Sequence, residues 1–187
     1  MATYRHDWDL GTMTATVTAF KAMSILQSRP NDMFPFTVKG RGGETTIILG
    51  STYDLLNTTG PFNSFWTGSD PVTVTAMTTL SFTFTTLAGH HRGAGQTITF
   101  ETYDRLAEEN NGLTQRMHVF LSQHGTYISS FWHPLSSLFN LGANAGAAGA
   151  WALQAHNLRE ALGTAGDIEH TVIPGSRTVF PQWGAKT

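Results

Sequence analysis

Residues 71–103 read PVTVTAMTTLSFTFTTLAGHHRGAGQTITFETY, and apolar and polar side chains alternate through three consecutive segments of this stretch. The segments are Pro71–Met77, Leu80–Leu87 and Gln96–Tyr103. A period of two places every second side chain of a β-strand on the same face. A fourth segment with this period, Gln115–Gln123, follows further along the chain. Consecutive alternating segments predict an antiparallel sheet with one face covered by the rest of the domain.

The chain before this sheet is predicted to begin irregularly and then to form a helix and a hairpin. Residues 1–13 show no clear period, whereas Ala19–Ser28 suits a short helix that ends before Pro30. The apolar side chains of this helix at a spacing of three are Phe20, Met23 and Leu26. Phe34–Lys39 and Glu44–Leu49 are predicted as two strands, joined by the glycine-rich turn between them.

The period changes from two to between three and four in the last third of the chain. The apolar residues at this spacing are Leu138, Leu141, Ala145, Ala148, Trp151 or Ala152, Ala155, Leu158 and Leu162. Gly163 stands where the end of a helix is expected. We therefore predict a long C-terminal helix with one apolar stripe. Residues 1–163 are predicted to form one domain, and residues 164–187, which contain Pro174 and Pro181, an extended tail.

These elements predict an α+β fold in which a curved antiparallel sheet wraps around the C-terminal helix. Their order resembles the helix-grip fold of START-like and polyketide-cyclase-like proteins. The phrase TLAGH at Thr86–His90, followed by Gly93 and Gly95, is similar to a helix-grip family in which T-L-x-G-H and a glycine precede a strand. The resemblance covers residues 34–163. That fold usually begins with a strand and two short helices, so the resemblance implies a first strand, for which Met13–Thr18 is the candidate.

The composition excludes several classes of function. The chain has 187 residues, a formal net charge of −2 and no cysteine. Without a basic stripe, no nucleic-acid partner is expected. Without cysteine, the chain has no disulfide, no thiolate nucleophile and no Cys-ligated zinc. Its histidines show neither H-x-H nor H-E-x-x-H spacing, so neither a metal nor a cofactor is predicted.

Two segments bear on the location of the protein. The polar N-terminus lacks the apolar core of a signal peptide, which predicts a cytoplasmic protein. Residues 125–154 carry no Asp, Glu, Lys or Arg. They do contain Pro134, several glycines and several polar residues, so we predict a buried helix there rather than a membrane span.

The loop Gly89–Gly95, GHHRGAG, carries two imidazoles and a guanidinium between glycines. An arginine beside exposed backbone amides can hold an anion, and an imidazole titrates near neutral pH. His90 and Arg92 are therefore candidates for anion recognition. Together with Glu101 they are also the candidates for proton transfer. The alternative is a polar hairpin loop in which His90 hydrogen-bonds to the backbone.

The resemblance to helix-grip proteins implies a cavity between the sheet and the C-terminal helix that binds an apolar or aromatic small molecule. The residues predicted to line it are Phe82, Phe84, His90, Arg92, Phe100 and Trp151. The alternative for the aromatic residues is plain core packing. His118 and His124 lie on the strand face opposite the more apolar Val119 and Leu121 and are predicted to face solvent. If that face were inward, either histidine would be a candidate general base.

Three functions remain open from the sequence. The first is binding of a small molecule without a reaction. The second is a cyclase or isomerase that uses the same cavity, with the three proton-transfer candidates named above. The third is a protein-interaction module with a filled core, which Phe62, Phe65 and Trp66 in the loop Asn57–Pro71 would support if they form an exposed patch. These aromatic residues are equally suited to a lid or to packing over the domain, and the sequence makes no prediction of the oligomeric state.

Overall fold

The computed structural model describes residues 2–56, 69–90, 93–109, 113–127, 151–164, 168–172 and 176–180. For residues 2–4, for residue 127 and for the last two ranges it describes the backbone alone. The predicted apolar positions from Leu138 to Ala148 and the loop residues Phe62, Phe65 and Trp66 lie outside the described residues.

Within these residues the chain forms nine strands and three helices. The strands are β1 (Ala2–Thr12), β2 (Thr37–Gly40), β3 (Thr52–Leu56), β4 (Ser69–Met77), β5 (Ser81–Thr86), β6 (Thr97–Glu109), β7 (Thr114–Tyr127), β8 (Ile168–Val172) and β9 (Ser176–Phe180). The helices are α1 (Ala19–Ser28), α2 (Pro30–Met33) and α3 (residues 151–162). The strands form one sheet in the order β2-β3-β4-β5-β6-β7-β1-β8-β9, and every neighbouring pair is antiparallel.

The position of β1 explains how the sheet is covered. β1 pairs with β7, whereas β2 lies at the far edge of the sheet, so α1 and α2, which connect them, cross the sheet. The hydroxyl of Thr102 on β6 donates to the backbone oxygen of Ala19 at 2.7 Å, which holds the start of α1 against the sheet. The buried side of α3 joins the same core through Trp151, Ala155 and Leu158. The predicted fold class, a curved antiparallel sheet wrapped around a C-terminal helix in the helix-grip arrangement, is confirmed.

The N-terminal residues form a strand, so the prediction of an irregular lead-in over residues 1–13 is wrong. Trp8 and Leu10 of β1 are fully buried in the core. The residues on either side of Trp8 also lie out of solvent, because Asp7 and Asp9 are only 6% and 7% exposed. Charged residues on the second face concealed the period of a strand that is covered on both sides. Residues 13–18 are a connection, so the suggested first strand at Met13–Thr18 is also wrong.

The first helix has the predicted bounds, but its buried side differs in one position. Met23 and Leu26 are fully buried as predicted, whereas Phe20 is 60% exposed. The hydroxyl of Thr18 caps the helix by accepting the backbone N–H of Lys21 at 3.1 Å. Pro30 does not only end α1. It opens the one-turn helix α2, because a proline at the first helical position has no N–H to leave unpaired.

The predicted hairpin has a different second strand. β2 pairs with β3, so the prediction of a strand at Glu44–Leu49 is wrong. This segment is a connection that the hydroxyl of Tyr53 holds in place. The hydroxyl accepts the backbone N–H of Ile48 at 2.9 Å and donates to the backbone oxygen of Thr46 at 2.7 Å. A buried tyrosine with two backbone contacts thus fixes apolar residues that have no strand partner.

The four alternating segments form β4 to β7 as predicted, with local differences. The register shifts between Val74 and Ala76, so Ala76 is exposed although it continues the apolar alternation. β6 extends to Glu109, six residues beyond the alternating segment that ends at Tyr103. Met117 is 40% exposed because the ends of β6 and β7 reach beyond the core.

The end of α3 and the chain after it are also partly described. Gly163 has a φ of 72°, and its N–H donates to the backbone oxygen of Glu160 at 3.0 Å, which confirms the predicted helix end. Part of the predicted extended tail forms β8 and β9, and β8 pairs with β1 from His6 to Trp8. These strands continue the sheet beyond β1. The division into a domain of residues 1–163 and a tail stays a prediction.

Candidate ligand-binding site

A cavity of about 50 Å³ lies between the concave face of the sheet and α3. Its apolar walls are formed by Phe36, Leu55, Phe84, Ile98, Phe100 and Trp151. One water molecule needs about 10–15 Å³ of such space. The cavity therefore holds a few waters or a small organic group, and a larger molecule requires the wall side chains to move.

Aromatic rings in edge-to-face contact make up the wall next to α3. The Phe100 and Trp151 rings are 5.7 Å apart at 74°, and the Phe84 and Phe100 rings are 6.0 Å apart at 79°. Edge contacts of this kind are the favoured arrangement of aromatic pairs. Phe82 is not a lining residue, but its ring stacks on that of Phe100 with the centroids 5.0 Å apart. Three of the four predicted aromatic residues thus line the cavity, and Phe82 supports one of them.

The rim of the cavity is polar and begins at the end of β5. Thr86, His90, Gln96 and Thr126 are the polar lining residues. The Thr86 hydroxyl donates to the backbone oxygen of Gly93 at 2.7 Å and accepts the backbone N–H of Gln96 at 2.9 Å. These two bonds close the described part of the loop between β5 and β6. As a result, a buried threonine positions the loop that carries His90.

His90 points to a buried carboxylate. Its ring Nδ1 lies 3.8 Å from Oδ1 of Asp70, and the side chains of both residues are at most 5% exposed. Its backbone N–H donates to the Leu87 oxygen at 3.1 Å, and its own oxygen accepts the N–H of Gly93 at 2.8 Å. The loop is therefore a hydrogen-bonded turn, as the alternative interpretation of the sequence had it, and it also places an imidazole at the cavity rim.

Of the two remaining predicted residues, Glu101 does not lie at this cavity. Glu101 follows the inward-facing Phe100 in β6, so its side chain lies on the opposite face of the sheet. His124 lies on the same outer face, because it pairs with Thr99, two residues before Glu101 in β6. Arg92 lies outside the described residues.

A chain of buried polar side chains that was not predicted from the sequence lies beside the cavity. The indole N–H of Trp8 donates to Oε1 of Gln123 at 2.6 Å, and Nε2 of Gln123 donates to Oε1 of Gln154 at 2.5 Å. All three residues are completely buried. Nε2 of Gln154 has no hydrogen-bond partner among the described residues. The signal was present, because Gln123 interrupts the apolar face of its strand.

A second missed cluster lies on the outer face of the sheet. The ring of His118 contacts Oδ2 of Asp9 through Nδ1 at 2.8 Å and Oε1 of Glu109 through Nε2 at 3.0 Å. Hydrogen bonds from the Thr12 hydroxyl and from His118 hold the pKa of Glu109 below its ordinary value of 4.5. His118 is 8% exposed, so the prediction that it faces solvent is wrong. Among the described residues, no group of three or more His, Cys, Asp or Glu is arranged to hold a metal ion.

We expect the stability of this protein to fall as the pH drops below that of neutral solution. Burial holds the pKa of both His6 and His124 below the ordinary value of 6.5. The unfolded chain therefore takes up protons at a higher pH than the folded chain does. The stability that these two neutral histidines contribute is fully present above pH 6.5. It is lost as the pH falls through that value towards their lower pKa values in the folded state.

Urea unfolding at about pH 7.5 and about pH 5.5 measures this effect. His6→Gln removes the contribution of the inner-face residue and is expected to reduce the loss between the two values. Lys39→Gln, an exposed change elsewhere, serves as the control. Equal losses in the wild type and in His6→Gln would contradict the assignment to His6.

Comparison with known proteins finds similar chains among solved structures. No protein-family model and no curated protein matches this sequence. Similar solved structures include the Aha1 dimer from Colwellia psychrerythraea, with 15% identity, 87% of this chain and 96% of that chain covered, and a TM-score of 0.48. Protein MLL2253 from Mesorhizobium loti has 13% identity, coverages of 87% and 97%, and a TM-score of 0.49. Ara h 8.0201 has 8% identity, coverages of 86% and 97%, and a TM-score of 0.47.

The strand order and α3 give this chain the helix-grip fold. A small, mainly apolar cavity lies between the sheet and the C-terminal helix. We draw neither ligand nor activity from the similar structures, because their identities to this chain are low. In the described part of the chain, none of the helices has the length and apolar character needed to cross a membrane.

Proposed function

We propose that this protein binds a small apolar or aromatic molecule in the cavity between the sheet and α3. The observation that carries the proposal is the combination of aromatic walls with a buried polar rim. Binding sites for small molecules are mostly apolar and hold a few placed polar groups that orient the ligand. Phe84, Phe100 and Trp151 supply the first feature, and Thr86 and His90 the second. A net charge of −2 further supports a small molecule over a nucleic acid.

Native mass spectrometry of freshly purified protein, followed by extraction and identification of anything bound, tests this function. We expect a co-purifying apolar molecule, or a rise in melting temperature with small aromatic compounds. A clean mass of the unliganded chain, together with no thermal shift across a library of aromatic and lipid compounds, would contradict it. Light scattering of the same sample measures the oligomeric state, and a mass that rises with concentration would favour the interaction module.

Filling the cavity is expected to abolish binding while the fold is kept. Ile98→Phe adds ring atoms where the side chain of Ile98 lines the cavity. Overpacking a core lowers the free energy of unfolding by about 1–3 kcal/mol in general. Filling the cavity of about 50 Å³ offsets roughly 1 kcal/mol of this loss. We therefore expect a folded variant without ligand affinity. Titration calorimetry with the identified ligand measures the loss.

The matched control for this change lies in the same core but away from the cavity. Leu26→Met replaces a fully buried side chain of α1 that does not line the cavity, and it conserves volume. It is expected to leave ligand affinity unchanged. If Ile98→Phe binds the ligand as tightly as Leu26→Met does, the ligand occupies another site.

A cyclase or isomerase that uses the same cavity is a second candidate function, and the position of His90 favours it. A histidine at the rim of an apolar site is suited to general acid or base catalysis. Asp70 at 3.8 Å would orient the ring and stabilise its charged form. If the co-purified ligand is converted to an isomer by the wild type, His90→Gln should keep binding and lose conversion. Conversion that persists in His90→Gln would exclude His90 from the chemistry.

A further inference from the structure

We infer that the side-chain amide of Gln154 anchors the cavity ligand, and that this ligand is a neutral apolar molecule with a carbonyl oxygen. The inference rests on the proposed function, since it names the class of molecule that the cavity takes. Its starting point is the buried Nε2 of Gln154, which has no hydrogen-bond partner among the described residues.

The orientation of the amide follows from the hydrogen bonds that precede it. An indole N–H is only a donor, so Gln123 must present its oxygen to Trp8. The nitrogen of Gln123 is then the donor towards Gln154, whose oxygen accepts. The second end of the Gln154 amide is therefore its NH₂ group, a pure donor. A fixed buried donor without an acceptor is costly, because it has lost its hydration and gained nothing in return.

The unpartnered group lies next to the cavity wall. Gln154 follows Trp151 by three residues in α3, so both occupy the same side of the helix. Gln123 stands directly opposite Phe100 in the pairing of β6 and β7, with both side chains on the concave face. Trp151 and Phe100 both line the cavity. Gln154 does not itself line the cavity, so a ligand reaches its amide when the side chain of Trp151 or Phe100 shifts.

The surrounding charges determine which acceptor fits. The cavity is lined by no Lys or Arg among the described residues, and its one imidazole faces Asp70. The buried Arg159 of α3 donates to the backbone oxygen of Asp9, which directs it to β1. A carboxylate would lose its hydration here, and none of the described lining residues is a Lys or Arg that could compensate it. A ketone, aldehyde or ester oxygen accepts from a neutral amide at much smaller desolvation cost.

Two probes of equal shape separate the hydrogen bond from the apolar contact. Acetophenone and α-methylstyrene differ in the replacement of C=O by C=CH₂. We expect acetophenone to bind the wild type about tenfold more tightly, since one added hydrogen bond has that effect. In Gln154→Met, which has a similar length and no donor, the ratio of the two affinities should fall close to one. Leu153→Met, on the exposed side of the same helix, should retain the wild-type ratio.

A measurement on the wild type makes the test independent of the folding of the variant. The side-chain NH₂ resonances of Gln154 in a ¹⁵N spectrum should shift with acetophenone and stay in place with α-methylstyrene. Equal affinities of both probes and unshifted resonances would overturn the inference and leave the proposed function standing. The same result is expected if an ordered water accepts the hydrogen bond from the NH₂ group of Gln154. Failure of both probes to bind the wild type, together with a clean native mass and no thermal shift across the library, would instead overturn the proposed function.

Discussion

Replacing Phe100 by alanine is expected to lower the free energy of unfolding by about 3–5 kcal/mol. Phe100 is 1% exposed and lies at the centre of the aromatic core. Its ring stacks on Phe82 at 5.0 Å and meets Phe34 edge-on at 5.1 Å. It also meets Trp151 of α3 at 5.7 Å. Removing the ring therefore breaks contacts among the sheet, the segment after α2 and α3, and it enlarges the existing cavity.

Urea unfolding of the variant and of the wild type measures this loss. Phe20→Ala is the matched control, because the same ring is 60% exposed on α1 and its removal should change stability by no more than about 0.5 kcal/mol. The enlarged cavity gives a second readout, since benzene should raise the melting temperature of Phe100→Ala more than that of the wild type. Equal stabilities of the two variants would show that the aromatic core is not the main contact between sheet and helix.

The inner half of the sheet was predictable because its signals are local. Alternation from Pro71 to Tyr103 assigns strands and faces without any knowledge of the partner strand. It correctly placed Phe84 and Phe100 on the face that meets α3. Trp151 was predictable for the same reason, because the period of α3 sets its buried side.

The first strand and the outer face were not predictable from local patterns. Asp9 meets a histidine 109 positions away in the sequence, and Asp7 accepts a hydrogen bond from Tyr103, 96 positions away. A buried carboxylate is stable only when such a partner is present. From the sequence alone, an acidic residue indicates exposure to solvent. The alternation of β1 is therefore hidden, and its residues are predicted to be irregular.

The chain of buried polar side chains beside the cavity was likewise not predictable from local patterns. Gln123 lies on the apolar face of its strand, which is a visible irregularity in the sequence. Its meaning depends on Trp8 and Gln154, which come from the two ends of the domain. Only the meeting of β1, β7 and α3 turns three isolated polar groups into a directional hydrogen-bonded chain.

Replacing His118 by leucine is expected to lower the free energy of unfolding by about 3 kcal/mol. One imidazole ring contacts two carboxylates, Asp9 through Nδ1 and Glu109 through Nε2. Leucine keeps most of the apolar volume but leaves the carboxylate of Asp9, which is 10% exposed, without its hydrogen bond to the ring. The penalty arises from this buried charge and not from lost packing.

A double-mutant cycle separates these two causes. If charge is responsible, Glu109→Gln should cost less in the His118→Leu background than in the wild type, because it then removes a carboxylate that has already lost its contact with the imidazole. The control is His156→Ala, whose ring lies 3.4 Å from Glu160 on the exposed side of α3 and whose loss should cost at most about 0.5 kcal/mol. Equal costs of Glu109→Gln in both backgrounds would contradict the electrostatic account. They would assign the effect of His118→Leu to packing at the covered outer face of β1.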